Sequence, residues 1–90
     1  MAYTVLLTLD LNNVTQEKRE TFYQLLEKNQ WKKIGKINTV WKAKFKEDVT
    51  REGALNSSKN EIKRLASQSL ISSFDAVLQA GEGDVVVFKS

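Results

Sequence analysis

Residues 39–46, Thr-Val-Trp-Lys-Ala-Lys-Phe-Lys, alternate between two kinds of side chain. Trp41, Ala43 and Phe45 share one parity, and lysines take the other parity from residue 42 onward. Because successive side chains of a β-strand point to opposite faces, this period of two predicts a strand with one buried and one exposed face. We expect the lysines to lie on the exposed face.

Three further elements are predicted before this strand. Residues 3–10 are rich in β-branched and apolar side chains, which predicts a first strand. A helix then extends to about Asn29, and Thr15 or Asn13 can cap its start through a side-chain oxygen. Residues 31–37 predict a second strand, interrupted or bent at Gly35.

The C-terminal half begins with a second helix, which Thr50 caps and which extends to about Gln68. Residues 74–79 alternate between apolar and other side chains, and residues 85–88 form an apolar run, so each stretch predicts a strand. Residues 81–84 between them predict a tight turn. They lack the lysine and the following helix that a phosphate-binding loop requires.

The predicted order is βαββαβ with an added C-terminal β-strand, in a single domain that spans residues 1–90. Two right-handed crossovers in one sheet give an α+β fold, the ferredoxin-like sandwich, whose helices cover one face of the sheet. Aromatic side chains on the uncovered face could stack on bases. Trp41 lies on the apolar side of its strand, so we expect it in the core. For Trp31 the sequence does not decide between core packing and base stacking.

The last apolar run has no obvious neighbour within its own sheet. An unpaired apolar strand promotes aggregation, so protection by a second copy of the chain is expected. The sequence therefore predicts a homodimer whose crossing strand consists of Val85, Val86, Val87 and Phe88.

The chain of 90 residues contains neither cysteine nor histidine and carries a net charge of +3. These absences exclude thiolate and imidazole metal sites and the nucleophile pairs that need histidine. The apolar run at residues 5–7 is far too short to span a bilayer, so we expect a cytoplasmic protein with no membrane contact. The mild positive charge permits contact with RNA or DNA without requiring it.

Asp10 is the first candidate for chemistry. It lies at the end of the first predicted strand, beside a polar loop, where a carboxylate can bind a divalent ion or orient water. A second copy related by a two-fold axis could supply another carboxylate. In the alternative interpretation, Asp10 with Asn12 and Asn13 ends the strand and caps the helix through local hydrogen bonds.

A group of lysines is the second candidate, because six of the 14 basic residues fall in one predicted hairpin. On one face of a sheet they would form a positive stripe able to bind phosphates with salt-sensitive affinity. Equally, lysines on an exposed strand keep it soluble and oppose edge pairing. The six residues are Lys32, Lys33, Lys36, Lys42, Lys44 and Lys46.

Three segments follow one another along the chain: residues 8–11 (Thr-Leu-Asp-Leu), the charged helix start at residues 16–19 and the Gly-containing strand at residues 34–41. Their order, together with the two closing strands, resembles that of the small CRISPR-associated endonuclease and integration-subunit superfamily. They also resemble its relatives, virulence-associated protein D and the GhoS-type antitoxin endoribonuclease.

This chain also departs from that superfamily. The segment between the helices is longer here, and the aromatic-rich signature of the second and third strands is not reproduced. A divergent relative from a mobile element or a toxin–antitoxin locus fits this pattern better than a true CRISPR protein.

The resemblance implies a ferredoxin-like fold and a homodimer in which residues 85–88 cross to the partner. It also implies that Asp10 binds Mg²⁺ or another divalent metal as the catalytic residue. The leading hypothesis is therefore a dimeric nucleic-acid-associated protein, with metal-dependent nuclease activity as its chemistry. The alternative is a non-catalytic module that binds a protein partner, such as an antitoxin or an inhibitor of a host or defence enzyme.

Overall fold

The computed structural model describes residues 2–35 and 39–86. It confirms the α+β class, with two helices and a four-stranded antiparallel sheet among these residues. The elements are β1 (Tyr3–Leu11), α1 (Gln16–Lys28), β2 (Lys32–Lys33), β3 (Val40–Lys44), α2 (Arg51–Gln68) and β4 (Phe74–Glu82).

The strands lie in the order β2-β3-β1-β4, and every neighbouring pair is antiparallel. β1 is therefore central, with Val5 opposite Ala43 of β3 on one side and Ala80 of β4 on the other. β4 forms one edge of the sheet, and the two-residue β2 forms the other. Among the described residues, neither helix is both long and apolar enough to cross a membrane.

The core lies between the helices and one face of the sheet. Trp41 is fully buried there, with its ring centroid 5.4 Å from that of Tyr23 on α1. Trp31 is buried as well, and its indole Nε1 donates a hydrogen bond to Glu61 Oε1 on α2 at 2.6 Å. Because both tryptophan rings are buried, neither can stack on a base. The largest fully buried side chains besides them are Phe22, Leu7, Leu9, Leu26, Ile62, Leu65 and Val5.

Both helices begin where the cap residues predict. The hydroxyl of Thr15 accepts a hydrogen bond from the Lys18 amide, and that of Thr50 accepts one from the Gly53 amide. A hydroxyl at this position satisfies an amide that has no partner within the helix.

The two helices also end alike, each with a residue in the left-handed region. These residues are Gln30, with φ 71°, and Leu70, with φ 61°. The next amide in each case, that of Trp31 or Ile71, donates back to a carbonyl five residues earlier. This is the Schellman arrangement, which turns the chain from helix towards strand.

The second predicted strand is much shorter than expected. The sequence predicts a strand over residues 31–37, whereas within the described part of that stretch, residues 31–35, β2 contains only Lys32 and Lys33. Trp31 instead closes the end of α1, and Gly35 lies in a turn with φ 57°. Lys36, Ile37 and Asn38 lie outside the described residues.

The C-terminal boundary also differs from the sequence prediction. β4 continues through Gly81 and Glu82, so the reversal begins at Gly83, whose φ is 78°. Val85 and Val86 belong to no strand, and residues 87–88 lie outside the described residues. The added strand at Val85, Val86, Val87 and Phe88 therefore stays a prediction.

Candidate nucleic-acid interface

The face of the sheet that points away from the helices carries the even-numbered residues of β1. Leu7 and Leu9 of β1 are buried in the core, whereas Thr8 and Asp10 are exposed. Residues opposite one another in an antiparallel sheet share a face. We call this surface the open face, and the residues of β1, β3 and β4 that share it are Thr4, Leu6, Thr8, Asp10, Val40, Lys42, Lys44, Asp75, Val77, Gln79 and Gly81.

Three of the six predicted lysines come together on this face. Lys42 and Lys44 lie opposite Leu6 and Thr4 of β1, and Lys32 of β2 lies opposite Lys42. We call Lys32, Lys42 and Lys44 the lysine cluster. All three line one groove of about 450 Å³ beside the end of α1.

The remaining three lysines do not join this cluster. Lys33 lies opposite Trp41 and so belongs to the helix side of the sheet. Lys46 is exposed two residues beyond the end of β3. Lys36 falls outside the described residues.

Asp84 binds two of the clustered lysines. Nζ of Lys42 lies 3.1 Å from Asp84 Oδ1, and Nζ of Lys44 lies 3.2 Å from Oδ2. The amide of Val85 donates a third hydrogen bond to Oδ1 at 2.8 Å. One carboxylate thus receives three donors, two of them cationic.

These donors hold the pKa of Asp84 down to about 2, from its ordinary value of 3.8. The hydrogen bond from Lys42 lowers it most, followed by those from the Val85 amide and from Lys44. Donors that stabilise the charged form of a carboxyl lower its pKa, so Asp84 is an anion at neutral pH.

Residues 83–86, which we call the C-terminal strap, cross the open face. Gly83 turns the chain back at a positive φ that favours glycine, and its carbonyl accepts a hydrogen bond from the Thr4 hydroxyl. The Gly83 amide also donates to the Ala2 carbonyl at 3.3 Å. Val85 is half-buried and lines a small pocket with Leu6 of the sheet, whereas Val86 is 86% exposed.

Asp10 lies at the other end of the open face, four residues along β1 from Leu6, or roughly 13 Å at strand spacing. It is exposed and directly opposite Asp75 of β4. The Asn12 side-chain amide donates to Asp75 Oδ2 at 3.4 Å. The structure thus places Asp10 opposite a second acidic residue of its own chain. The side-chain cap of α1 comes from Thr15.

Among the described residues, the oxygen atoms that meet at this end of the open face include those of Asp10, Asp75 and the Asn12 amide. Within the described residues, no group of three or more His, Cys, Asp or Glu side chains is placed to hold a metal ion. Two carboxylates suit Mg²⁺, which keeps several of its waters and is often held by one or two acidic side chains.

The outer edge of β4 borders a second groove. All nine residues of β4 pair with β1, and β4 is the last strand of the described sheet. The adjoining groove between β4 and α2 has a volume of about 420 Å³. Its lining is apolar with two lysines, and consists of Lys59, Ile62, Lys63, Phe74, Ala76 and Leu78.

No family model, curated protein or solved structure matches this chain.

Asp75 and Asp84 are the site residues that the sequence analysis missed. The alternation of residues 74–79 places Asp75 on the polar side of its strand, but its position opposite Asp10 depends on the register of β4 against β1. Asp84 falls in the stretch predicted to be a turn, and its position depends on the path of the chain after Gly83. Neither relationship leaves a local signal in the sequence.

Proposed function

We propose that the protein is a cytoplasmic, homodimeric nucleic-acid-binding protein of ferredoxin-like fold, and that Asp10 takes part in metal-dependent cleavage of the bound strand. The strand order β2-β3-β1-β4, with one helix in each crossover, supports the ferredoxin-like assignment. The resemblance to CRISPR-associated and toxin–antitoxin nucleases suggests a defence or toxin–antitoxin setting.

The observation that carries the binding proposal is the lysine cluster on the open face. Lys32, Lys42 and Lys44 line one groove, so their ammonium groups can meet neighbouring phosphates of a single strand. When lysines bind phosphates, the cations condensed on the nucleic acid are released, so the affinity for nucleic acid falls as the salt concentration rises. The exposed Lys46 extends the positive surface beyond β3.

The catalytic part of the proposal rests on Asp10 and Asp75. The two residues lie opposite one another on the neighbouring strands β1 and β4, and their carboxylates would hold Mg²⁺ or another divalent ion through hard oxygen ligands. Such an ion, when bound, activates water and stabilises the charge that develops on phosphate. The protein's own contribution is to fix the two carboxylates on neighbouring strands at the far end of the surface that carries the lysines.

The proposed homodimer forms through the outer edge of β4 and the C-terminal apolar segment. Among the described residues no strand pairs with the outer edge of β4, and Val85, Val86, Val87 and Phe88 supply an apolar segment that suits such an edge. Exchange of these segments about a two-fold axis would join two lysine clusters and two acidic pairs in one assembly.

Mobility shift of a short single-stranded RNA and a DNA duplex tests the binding step. We expect retardation at about 50 mM salt that weakens markedly at about 200 mM, because released counterions drive the binding. Absence of retardation at the lower salt concentration would rule out the nucleic-acid proposal.

Cleavage is tested with Asp10→Asn against Asp48→Asn, since both residues are exposed and each change removes one charge. We expect metal-dependent cleavage to be lost only in Asp10→Asn. Equal cleavage by the two variants would remove Asp10 from the mechanism.

A second candidate function is supported by the groove beside β4. An extended peptide could add to the edge of β4 and place apolar side chains against Ile62, Phe74 and Leu78. This is the arrangement expected of a non-catalytic module that binds a protein partner. Capture of a stoichiometric protein that resists nuclease treatment, together with loss of capture in Leu78→Lys, would favour this function over nucleic-acid binding.

A further inference from the structure

We infer that Asp84 occupies a phosphate-binding site of its own chain, and that nucleic acid must displace this carboxylate to bind Lys42 and Lys44. This inference rests on the proposed function and names the group that the lysine cluster recognises. Two ammonium groups and one backbone amide converge on a single anion here.

The convergence of donors identifies the ligand chemistry. Nζ of Lys42 and Nζ of Lys44 approach different oxygens of Asp84, at 3.1 and 3.2 Å. Both lysines therefore already point at one position in front of the sheet. A phosphate group presents several acceptor oxygens on one small centre and can take up the same two charged donors.

The strap that brings Asp84 to this position is held by few contacts. Within the described residues, and besides the contacts of Asp84 itself, the hydrogen bonds that hold the strap join Gly83 to Thr4 of β1 and to Ala2. The side chain of Asp84 is 43% exposed and that of Lys44 is 68% exposed. Ion pairs that remain in contact with water contribute little net stability, so a polyanion with several phosphates can compete with Asp84.

The consequence is an internal counterion that sets the affinity for nucleic acid. While Asp84 is in place, it neutralises part of the charge that a phosphate would otherwise meet. Its release exposes two lysines on the face that also carries Asp10. The strap therefore favours strands with enough consecutive phosphates to replace it over isolated anions.

Asp84→Asn is the variant that tests this inference, and Glu82→Gln is its matched control. Glu82 is an exposed residue only two positions away, so both variants raise the net charge by one. Two probes are used, pyrophosphate followed through the Val85 amide by NMR and a fluorescein-labelled single-stranded RNA followed by anisotropy. A triple variant, Asp84→Asn with Lys42→Gln and Lys44→Gln, tests whether any gain depends on these lysines.

We expect Asp84→Asn to bind both probes about three- to tenfold more tightly than Glu82→Gln, a gain of the size expected when the ligand no longer has to break two water-exposed ion pairs. We expect the triple variant to lose this gain. Equal affinities of Asp84→Asn and Glu82→Gln, or a gain that survives in the triple variant, would overturn the inference while leaving RNA binding by the wild type intact. A gain for pyrophosphate with no RNA binding by any variant would instead uphold the anion site and overturn the proposed function.

Discussion

Nζ of Lys42 lies 3.1 Å from Oδ1 of Asp84, a residue 42 positions further along the chain. This contact, with the one from Lys44, joins β3 to the segment that follows β4, and it crosses the central strand to do so. The most positive part of the open face is therefore partly neutralised by the protein itself. The chain's behaviour towards anions depends on how firmly this contact is held.

The ionisation of Asp84 gives the first prediction. Its pKa is about 2, below the ordinary 3.8, so its stabilising contribution is present above pH 3.8 and is lost as the pH falls through about 2. A carboxyl-carbon NMR titration should show this midpoint. Lys42→Gln should move the midpoint upward, because the largest lowering contact is removed, whereas Lys59→Gln should not. A wild-type midpoint near 3.8 would show that the contact does not form in solution.

Leu70 gives a prediction about folding stability. It has φ 61° and is 74% exposed, at the position after a helix where glycine is usually preferred. The left-handed conformation costs a residue with a Cβ atom about 1–2 kcal/mol, part of which glycine loses again as backbone entropy. We expect Leu70→Gly to raise the free energy of unfolding by about 0.5–1 kcal/mol in urea denaturation at fixed protein concentration.

Leu70→Ala is the control for that measurement, since it removes the exposed side chain but keeps the Cβ atom. It should leave stability nearly unchanged. If alanine stabilises as much as glycine, the gain comes from removing an exposed leucine and not from relief of the backbone.

Ser58 gives a second stability prediction. It lies on α2 and is 1% exposed, and within the described residues its hydroxyl has no hydrogen-bond partner. A buried unsatisfied polar group costs about 1–3 kcal/mol, and alanine is also a better helix former than serine. We expect Ser58→Ala to raise the free energy of unfolding by about 1–2 kcal/mol.

The neighbouring Ser57 is exposed on the same helix and serves as a control for helix propensity alone. Ser57→Ala should gain about 0.5 kcal/mol or less. Equal gains at the two positions would mean that the Ser58 hydroxyl is satisfied in solution.

Those parts of the fold that depend on neighbouring residues could be predicted from the sequence. The alternation around Trp41 places that residue in the core, and the Thr50 hydroxyl identifies the start of α2. For α1 the sequence left Thr15 and Asn13 open, and the structure selects Thr15. These signals are local, because strand periodicity and capping each involve residues only two or three positions apart.

Long-range relationships were not predictable in the same way. The pairing of Asp10 with Asp75 requires the register between β1 and β4, and a slip of one residue would place Asp75 on the other face. The second strand begins late because Gln30 adopts a left-handed conformation without the glycine that usually marks it, and the turn at Gly35 follows shortly after its last residue. Trp31 is thereby used to close α1 and not to extend a strand.

The most direct test of the central claim compares two double variants with equal loss of charge. Lys42→Gln with Lys44→Gln alters the open face, whereas Lys59→Gln with Lys63→Gln alters the α2 side of the β4 groove. Anisotropy of a labelled single-stranded RNA should show binding weakened about tenfold or more only in the first, with the slope of log affinity against log salt reduced by about 1.4 for two lost contacts. Equal weakening in both variants would mean that RNA responds to net charge alone, and the open face would not be its binding site.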